Sequence, residues 1–401
     1  MTARPDLPAP ASAPGSRLWL LVSDGRARSI AAQVLIALAL LALIASLVGN
    51  VADNLQRLGV NAGFRFLARP AGFGITQHLI EYSEASSYGR ALLVSVINTA
   101  VLSAVAIAAA TVLGFAVGLM RLSANLLIAN LATAYVETLR NIPLLLQIFF
   151  WYFAVLRPLP GPRQSIVIGG VAYLSNRGLY MPAPVFEAGA GWIGIAVLAG
   201  IAAAIGLLLW ARQKRQVTGK RVRVGAIAAA LALGLPLLAA AAAGFPVSWD
   251  PPRLTGFNFT GGVAVIPEFV AMLVTLSLYS SAFIAEIVRS GVLAVPKGQV
   301  EAARAVGLKP AQITRLVVVP QAMRVIVPPL TSQYLNLVKN SSLAAAIAYP
   351  DLMLVFAGTV LNQTGQAIEV MAITMGTYLG FSLLIAGLMN WYNRAAAPVR
   401  R

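Results

Sequence analysis

The sequence predicts an all-α membrane protein that crosses a bilayer about eight times, with both termini in the cytoplasm. Three observations carry that expectation. Hydrophobic residues make up 59% of the 401 and charged residues only 11%, whereas soluble domains average roughly 25% charged. Lipid is therefore the solvent for much of this surface. The apolar residues gather into eight stretches, at 29–50, 91–120, 133–157, 192–211, 225–244, 264–288, 325–348 and 368–391; a helix needs ~20 residues to cross the hydrocarbon core. Finally, twenty Lys and Arg fall in the connections on one side and eight in those on the other, and the richer side is cytoplasmic. Backbone groups in lipid must be satisfied internally, so helices are expected. Nothing reads as the alternating strands of a membrane barrel.

Taken in order, residues 1–28 are rich in Pro and Ala and carry four arginines, the composition of a disordered cytoplasmic tail. The run at 29–50 exceeds the ~7–15 apolar residues of a cleaved signal peptide and shows no convincing Ala-x-Ala cleavage site, so a retained membrane helix is expected. Residues 51–90 form an external loop. The main transmembrane domain is expected over 91–392. Within it, the helix pair at 192–244 has the look of an insertion, flanked by external loops 158–191 and 245–263. Ala226 to Ala243 is mostly Ala, Leu and Gly, suited equally to close packing and to lipid-facing surface.

Composition excludes several functions. There is no cysteine, and His78 is the single histidine. That removes a disulfide framework, a thiol nucleophile and a Cys/His zinc site. His78 reads as a surface histidine of the external loop. The net charge of +17 follows membrane topology, so the basic run Arg212 to Arg223 is a topology signal and no nucleic-acid site. No phosphate-cradling Gly-x-x-x-x-Gly-Lys-Ser/Thr loop exists: Gly219-Lys220 lacks the upstream glycine and is followed by Arg221. The chain has no residues for ATP hydrolysis, and no cofactor, metal or catalytic residue is expected.

The most informative polar segment is the cytoplasmic loop 289–324. Glu301, Ala302, Ala303, Arg304 and Ala305 are good helix formers. Gly307 can adopt the backbone angles that end a short helix. Gln312 to Val319 are expected to form a second short helix closed by Pro320. The alanines leave a flat side that another protein's surface can approach. Glu301 and Arg304 also have the spacing of an ordinary surface ion pair.

This loop resembles the coupling loop of permease subunits in ATP-driven (ABC) importers, whose pattern is Glu-Ala-Ala, three residues, Gly, nine residues, Ile-x-Leu-Pro. Here Glu301, Ala302, Ala303, Gly307, Val317, Val319 and Pro320 stand at that spacing, with valine replacing isoleucine and leucine. Ser281 to Arg289, Val295 to Gln299, Pro320 to Ala322, Lys339 to Leu343 and Tyr135 to Gln147 resemble the polar and general L-amino-acid permeases. The resemblance covers most of 91–160 and 264–392. It implies a type I ABC importer transmembrane domain in a bacterial inner membrane, with 51–90 periplasmic and five core helices. The helix at 29–50 and the pair at about 192–244 look like additions to that core, and the larger general L-amino-acid permeases resemble this chain in having such an insertion. It further implies an ATP-binding subunit inside, a periplasmic amino-acid-binding protein outside and a second, related permease subunit. Glu301, Ala302, Ala303, Gly307, Leu308 and Pro320 would make the coupling contact. A self-contained channel or secondary carrier is the rival reading, but acidic residues within the spans are few and near their ends.

Candidates for the translocation path or gate are Asn98, Glu137, Arg140, Thr275, Tyr279 and Glu286. Glu137 with Arg140, and Glu286 with Arg289, stand three residues apart near cytoplasmic helix ends. Each pair reads either as a local ion pair or as part of an inner gate. Thr275, Tyr279 and Glu286 share one helical face, which either lines a polar cavity or packs on a neighbour. Asn98 and Asn340 invite the same two readings. Gly114-x-x-x-Gly118 and Gly376-x-x-x-Gly380 fit close helix packing, although glycine is frequent enough here for chance. External aromatics including Tyr82, Tyr88, Trp192 and Trp249 are interfacial anchors or contacts for a delivery protein.

Overall fold

The computed structural model describes residues 25–57, 63–187, 190–218, 224–245 and 247–396. The expected tail at 1–28 lies outside them apart from its last four residues. Twelve α-helical segments are described: α1 (Gly25–Arg57), α2 (Tyr88–Met120), α3 (Leu126–Asn141), α4 (Leu144–Phe149), α5 (Ala190–Thr218), α6 (Gly225–Ala242), α7 (Pro267–Leu293), α8 (Lys297–Ala305), α9 (Pro310–Ile313), α10 (Val319–Asn340), α11 (Leu361–Thr364) and α12 (Ala367–Ala396). Among the described residues seven helices are long and apolar enough to cross a membrane, and eight if α3 and α4 together make one span.

That bent pair corrects the single span expected over 133–157. Its two halves meet at 104°. Ile142, forced out of helix geometry by Pro143, is extended at φ −94°, ψ 127°. The amide of Gln147 then donates to the freed carbonyls of Leu139 and Ile142, at 2.9 and 3.0 Å. The break is thus satisfied within the protein, as lipid requires.

Pro320 is the second correction. It does not close a short helix, because α9 runs on through a π-helical stretch, Thr314–Val318, into α10. A proline ring would strike the carbonyl four residues back in a regular α-ladder. The wider π turn immediately before it relieves that clash.

The core is built on α2, α7 and α10. Leu102 and Ala106 of α2 pack with Met272, Leu276 and Ile284 of α7 and with Ile326 and Leu330 of α10. Gly114 and Gly118 set the α2–α7 distance. A methyl group on Gly114 would stand 2.5 Å from Ile284 Cγ2, and one on Gly118 2.7 Å from the Ala285 carbonyl oxygen. A Cβ on Gly376 or Gly380 of α12 would meet nothing within 4 Å, so this second glycine pair makes no close packing contact among the described residues. α5 and α6 pack chiefly on each other.

The expected external loops carry short strands that sequence reading missed. They are β1 (Ile166–Ile168), β2 (Ala172–Ser175), β3 (Gly178–Met181), β4 (Ala183–Phe186), β5 (Val247–Asp250), β6 (Arg253–Thr255), β7 (Asn258–Thr260) and β8 (Val263–Val265). One antiparallel sheet has the order β1-β2-β3-β8, and β4–β5 and β6–β7 are two-stranded ribbons. At the same end, Phe66 is buried beside Tyr88 and Phe356, with ring centroids 6.0 and 6.3 Å away. His78 is exposed, its Nδ1 3.0 Å from the Ile80 carbonyl oxygen.

Candidate functional site

The helix α8 and its turn are held by backbone geometry. Gly307 has φ 80°. Its N–H donates to the Arg304 carbonyl at 2.9 Å, and the Leu308 N–H donates to the Ala303 carbonyl at 3.2 Å. These two bonds form a Schellman closure, with glycine at the left-handed position. Lys309 then begins α9, its N–H accepted by Gln312 Oε1 at 2.9 Å. Ala303 is only 6% exposed and Ile313 4%, so α8 rests on the start of the α9–α10 run.

This orientation divides the residues expected to meet a partner. Ala303 is spent on the protein's own packing and does not lie on the open face. Glu301, Ala302, Arg304, Ala305 and Gly307 are exposed, and Leu308 is half-buried. Val306, which sequence reading passed over, is 76% exposed. No ion pair joins Glu301 to Arg304 among the described residues. Three residues connect α7 to α8, while α9 continues into α10. The exposed face is therefore carried between two core helices.

A cluster of charges lies where α2 ends. Arg121, at the C-cap of α2, binds Glu286 of α7 and stands 4.0 Å from Glu137 of α3. Arg289 Nη2 also donates to Glu286, at 2.6 Å. Four residues from three helices thus share one network. Glu137 and Arg140 do not pair as their spacing suggested, because Arg140 turns instead onto the Phe283 ring, 5.2 Å from its centroid. In the sequence Arg121 is one of the twenty Lys and Arg of the richer side. Its one sequence clue is position, three residues after the glycine Gly118. The Arg121 side chain is 10% exposed and that of Glu137 55%. One side of the network is thereby anchored and the other open. Tyr135 supports α3 on α7, its hydroxyl 2.7 Å from Ser281 Oγ.

The remaining candidates separate. Thr275 is fully buried and donates to the Ala271 carbonyl of its own helix at 2.7 Å. Tyr279 is half-buried with its ring 5.0 Å from that of Phe283. Thr275, Tyr279 and Glu286 thus meet three different surroundings along one helix. The Asn98 amide is buried and donates to the carbonyls of Gln77 and Pro350, at 2.8 and 2.9 Å. It ties α2 to the chain reversal after Ile347. Neighbouring Thr99 accepts the Leu352 N–H at 3.0 Å.

That reversal contains a charge that sequence reading missed. Asp351 is fully buried, and its Oδ1 accepts the Leu354 N–H at 2.8 Å. The signal was Pro350-Asp351 ahead of an apolar run, a helix-start pattern. Between α2, α10 and α12 lies a cavity of about 480 Å³, lined by Ala100, Ser103, Ile107, Tyr334, Phe381 and Leu388 among others. Ser103 contributes a buried hydroxyl that has no hydrogen-bond partner among the described residues.

Residues 224–397 match the family model for the binding-protein-dependent transport system inner membrane component. The chain is 54% identical over 371 residues to a putative amino-acid ABC transporter permease protein, YhdX, of Escherichia coli, covering 92% of this chain and 94% of that one. It is 50% identical over 378 residues to the general L-amino acid transport system permease protein AapQ of Rhizobium johnstonii, covering 94% of each. It is 40% identical over 412 residues to the glutamate/glutamine/aspartate/asparagine transport system permease protein BztB of Rhodobacter capsulatus, covering 95% of this chain and 96% of that one.

Proposed function

The chain belongs to the family of binding-protein-dependent transport system inner membrane components, and we propose that it forms the route by which L-amino acids cross a bacterial inner membrane. It is the multi-pass permease subunit of an ABC importer, and ATP hydrolysis belongs to a separate subunit. A solute-binding protein delivers the cargo. In our reading that protein is periplasmic and binds amino acids, and a second, related permease supplies the other half of the pathway. The core at 91–392, the inserted pair at 192–244 and the cytoplasmic loop 289–324 are the functional divisions.

The observation that carries the reading is the placement of α8. A closing ATPase would press on Glu301, Ala302 and Val306, and the Gly307 turn holds those residues in one orientation. Displacement of α8 would move α7 through a three-residue link and α10 through its continuous helical run. Such rigid-body motion can alternate the access of a bundle. The Arg121–Glu286–Arg289–Glu137 network joins α7, one of the two helices that would move, to α2 and α3 and serves as an inner gate. Pro320 contributes by keeping the run wide at its start, and Leu308 by seating the turn.

Replacement of Gly307 tests this. A Cβ there would meet nothing within 4 Å, so the penalty inside the chain is the left-handed backbone alone, about 1–2 kcal/mol. Gly307→Trp should leave membrane insertion intact yet abolish vanadate-sensitive uptake in vesicles holding the complete complex, because the bulk projects at the ATPase. Normal uptake by that variant removes the proposed contact. Uptake by vesicles lacking any ATPase would instead reinstate the channel or carrier reading.

A further inference from the structure

The buried carboxyl of Asp351 has no part in the coupling contact or in the charge network. It stands in the chain reversal, outside the flanking spans Pro310–Ile347 and Ala367–Asn393. The reversal packs beneath the external loop, where Leu352, Val355 and Phe356 share a core with Phe66, Ala71 and Ile75. A cavity of about 150 Å³, lined by Gly74, Thr76, Pro350, Leu354 and Thr359 among others, lies between the two. That is room for water beside residues on either side of Asp351. The carboxylate accepts from the N–H groups of Leu354 and Met353 and from the Tyr378 hydroxyl of α12. The Tyr378 hydroxyl also meets Ser341 Oγ, and Ser341 caps the end of α10. The serine's own hydrogen goes to the Val338 carbonyl, at 2.7 Å. Tyr349 of the reversal and Tyr378 of α12 are the titratable groups that face Asp351, while α2 presents the uncharged Asn98 and Thr99. Among the described residues no Lys or Arg pairs with it, Lys339 of α10 included. Glu369 of α12 is held by the Gly63 N–H, at 2.6 Å. Burial pushes the Asp351 carboxyl up to about 7, against the pull of its N–H and O–H donors.

We propose that Asp351, Tyr378 and Ser341 form a proton-operated clasp between α12 and α10 at the external end of the bundle. Counting hydrogens gives its two states. When a proton from external water forms an Oδ–H bond, the carboxyl loses its charge and donates to Tyr378 Oη. The phenol hydrogen turns to Ser341 Oγ, and Ser341 goes on donating to Val338. One unbroken chain then joins the reversal, α12 and the end of α10. When the proton returns to water, the carboxylate draws the phenol hydrogen to itself, because a hydrogen bond to a charged acceptor is the stronger. The serine hydrogen is already engaged by Val338. No hydrogen remains between Tyr378 and Ser341, so α12 is released from α10. Acid outside closes the clasp, and alkali opens it. Resting on the permease reading, in which α10 moves during coupling, the closed clasp slows uptake.

The test uses vesicles that hold the complete complex, with ATP and a constant pH inside and the delivery protein outside. Vanadate-sensitive uptake should rise roughly three- to tenfold as the outer pH is raised through neutrality, the weight of one hydrogen bond. Asp351→Asn keeps an acceptor for Leu354 and a permanent donor for Tyr378, so its uptake should be low and flat with pH. Tyr378→Phe and Ser341→Ala each break the chain, and their uptake should be high and flat. Infrared difference spectra of the purified complex, recorded across a pH step through neutrality, follow the proton itself. A protonated-carboxyl C=O band should vanish on the alkaline side and be missing from Asp351→Asn. In Tyr378→Phe it should lie at higher frequency, because the acid has lost its acceptor. A carboxyl band unchanged by Asp351→Asn overturns the clasp. So does a pH response of uptake that survives in Tyr378→Phe and Ser341→Ala. Uniformly low uptake in all three variants, with reduced thermal stability, would make the network a plain structural tie and overturn it too. A wild-type complex that shows the band yet takes up no amino acid would count instead against the permease reading.

Discussion

Among the helix pairs that meet through glycine, α2 with α7 and α5 with α6 differ in what the close approach delivers. In the first pair Gly114 and Gly118 let α2 settle on Ile284, Ala285 and Val288. That contact carries Arg121 onto Glu286 and into reach of Glu137. In the second pair Gly200 faces the Leu231 carbonyl, 2.7 Å from where its Cβ would be, and the buried residues nearby are Ala204, Ala211 and Ala228. The same packing device serves both. Only in the core does it place a charge network, so close packing by itself does not mark function.

The comparison breaks most visibly at the glycines. Gly114→Val would drive a branched side chain into Ile284, an overpacking cost of roughly 1–3 kcal/mol, and would push Arg121 away from Glu286. We expect uptake to be lost and co-purification with the partner subunits to fall. Gly200→Val meets backbone at a similar distance and should damage only the α5–α6 contact, leaving most uptake in place. Equal losses from the two variants, measured in the same vesicles, would show that the pairs are functionally equivalent.

The charge network gives the next effect. Arg121→Ala would leave Glu286 with Arg289 alone, and Glu286→Gln would leave the largely buried Arg121 without its closest carboxylate. Removing one partner of a buried pair costs about 3–5 kcal/mol, and the part-exposed Glu286 should bring the loss below that range. In a double-mutant cycle the combined variant should lose much less than the sum of the single changes. Strict additivity in uptake and thermal stability would mean that Arg121 and Glu286 act independently. The gate reading would then fall.

How much of this was legible in the sequence follows from the range of each signal. Gly307 was readable because a helix stop is a local matter of one residue's backbone angles. Gly114 and Gly118 were readable as a pattern, but their partner lies in another helix. Glu137 was matched to Arg140 because spacing along one helix shows only that helix's own neighbours. The true partner, Arg121, arrives from α2. The break at Ile142 was hidden by the apolar run on both sides of Pro143, although the proline itself announced it. The external strands have only three or four residues each, too short for a periodic pattern to register.

The smallest effect is expected from removing the inserted pair altogether. β4 and β5 are antiparallel, with Phe186 directly opposite Val247, so these two Cα atoms lie about 5 Å apart. Residues 187–246 therefore leave and rejoin the external layer at a single point. An Asn-Gly turn, the preferred two-residue hairpin connection, should close the gap without disturbing the register of β4 and β5. Two spans depart together, so every later helix keeps its direction. The excision removes Arg212, Lys214, Arg215, Lys220, Arg221 and Arg223, yet fourteen inner Lys and Arg still face eight outer ones, which preserves the orientation signal. The shortened chain should insert, co-purify with its ATPase and retain vanadate-sensitive uptake. If it inserts and assembles but does not transport, α5 and α6 belong to the moving machinery. The distinction between a working core and an appended pair would then be wrong at its root, because a pair held together by alanine and one glycine would be as necessary as the helices that carry the charges.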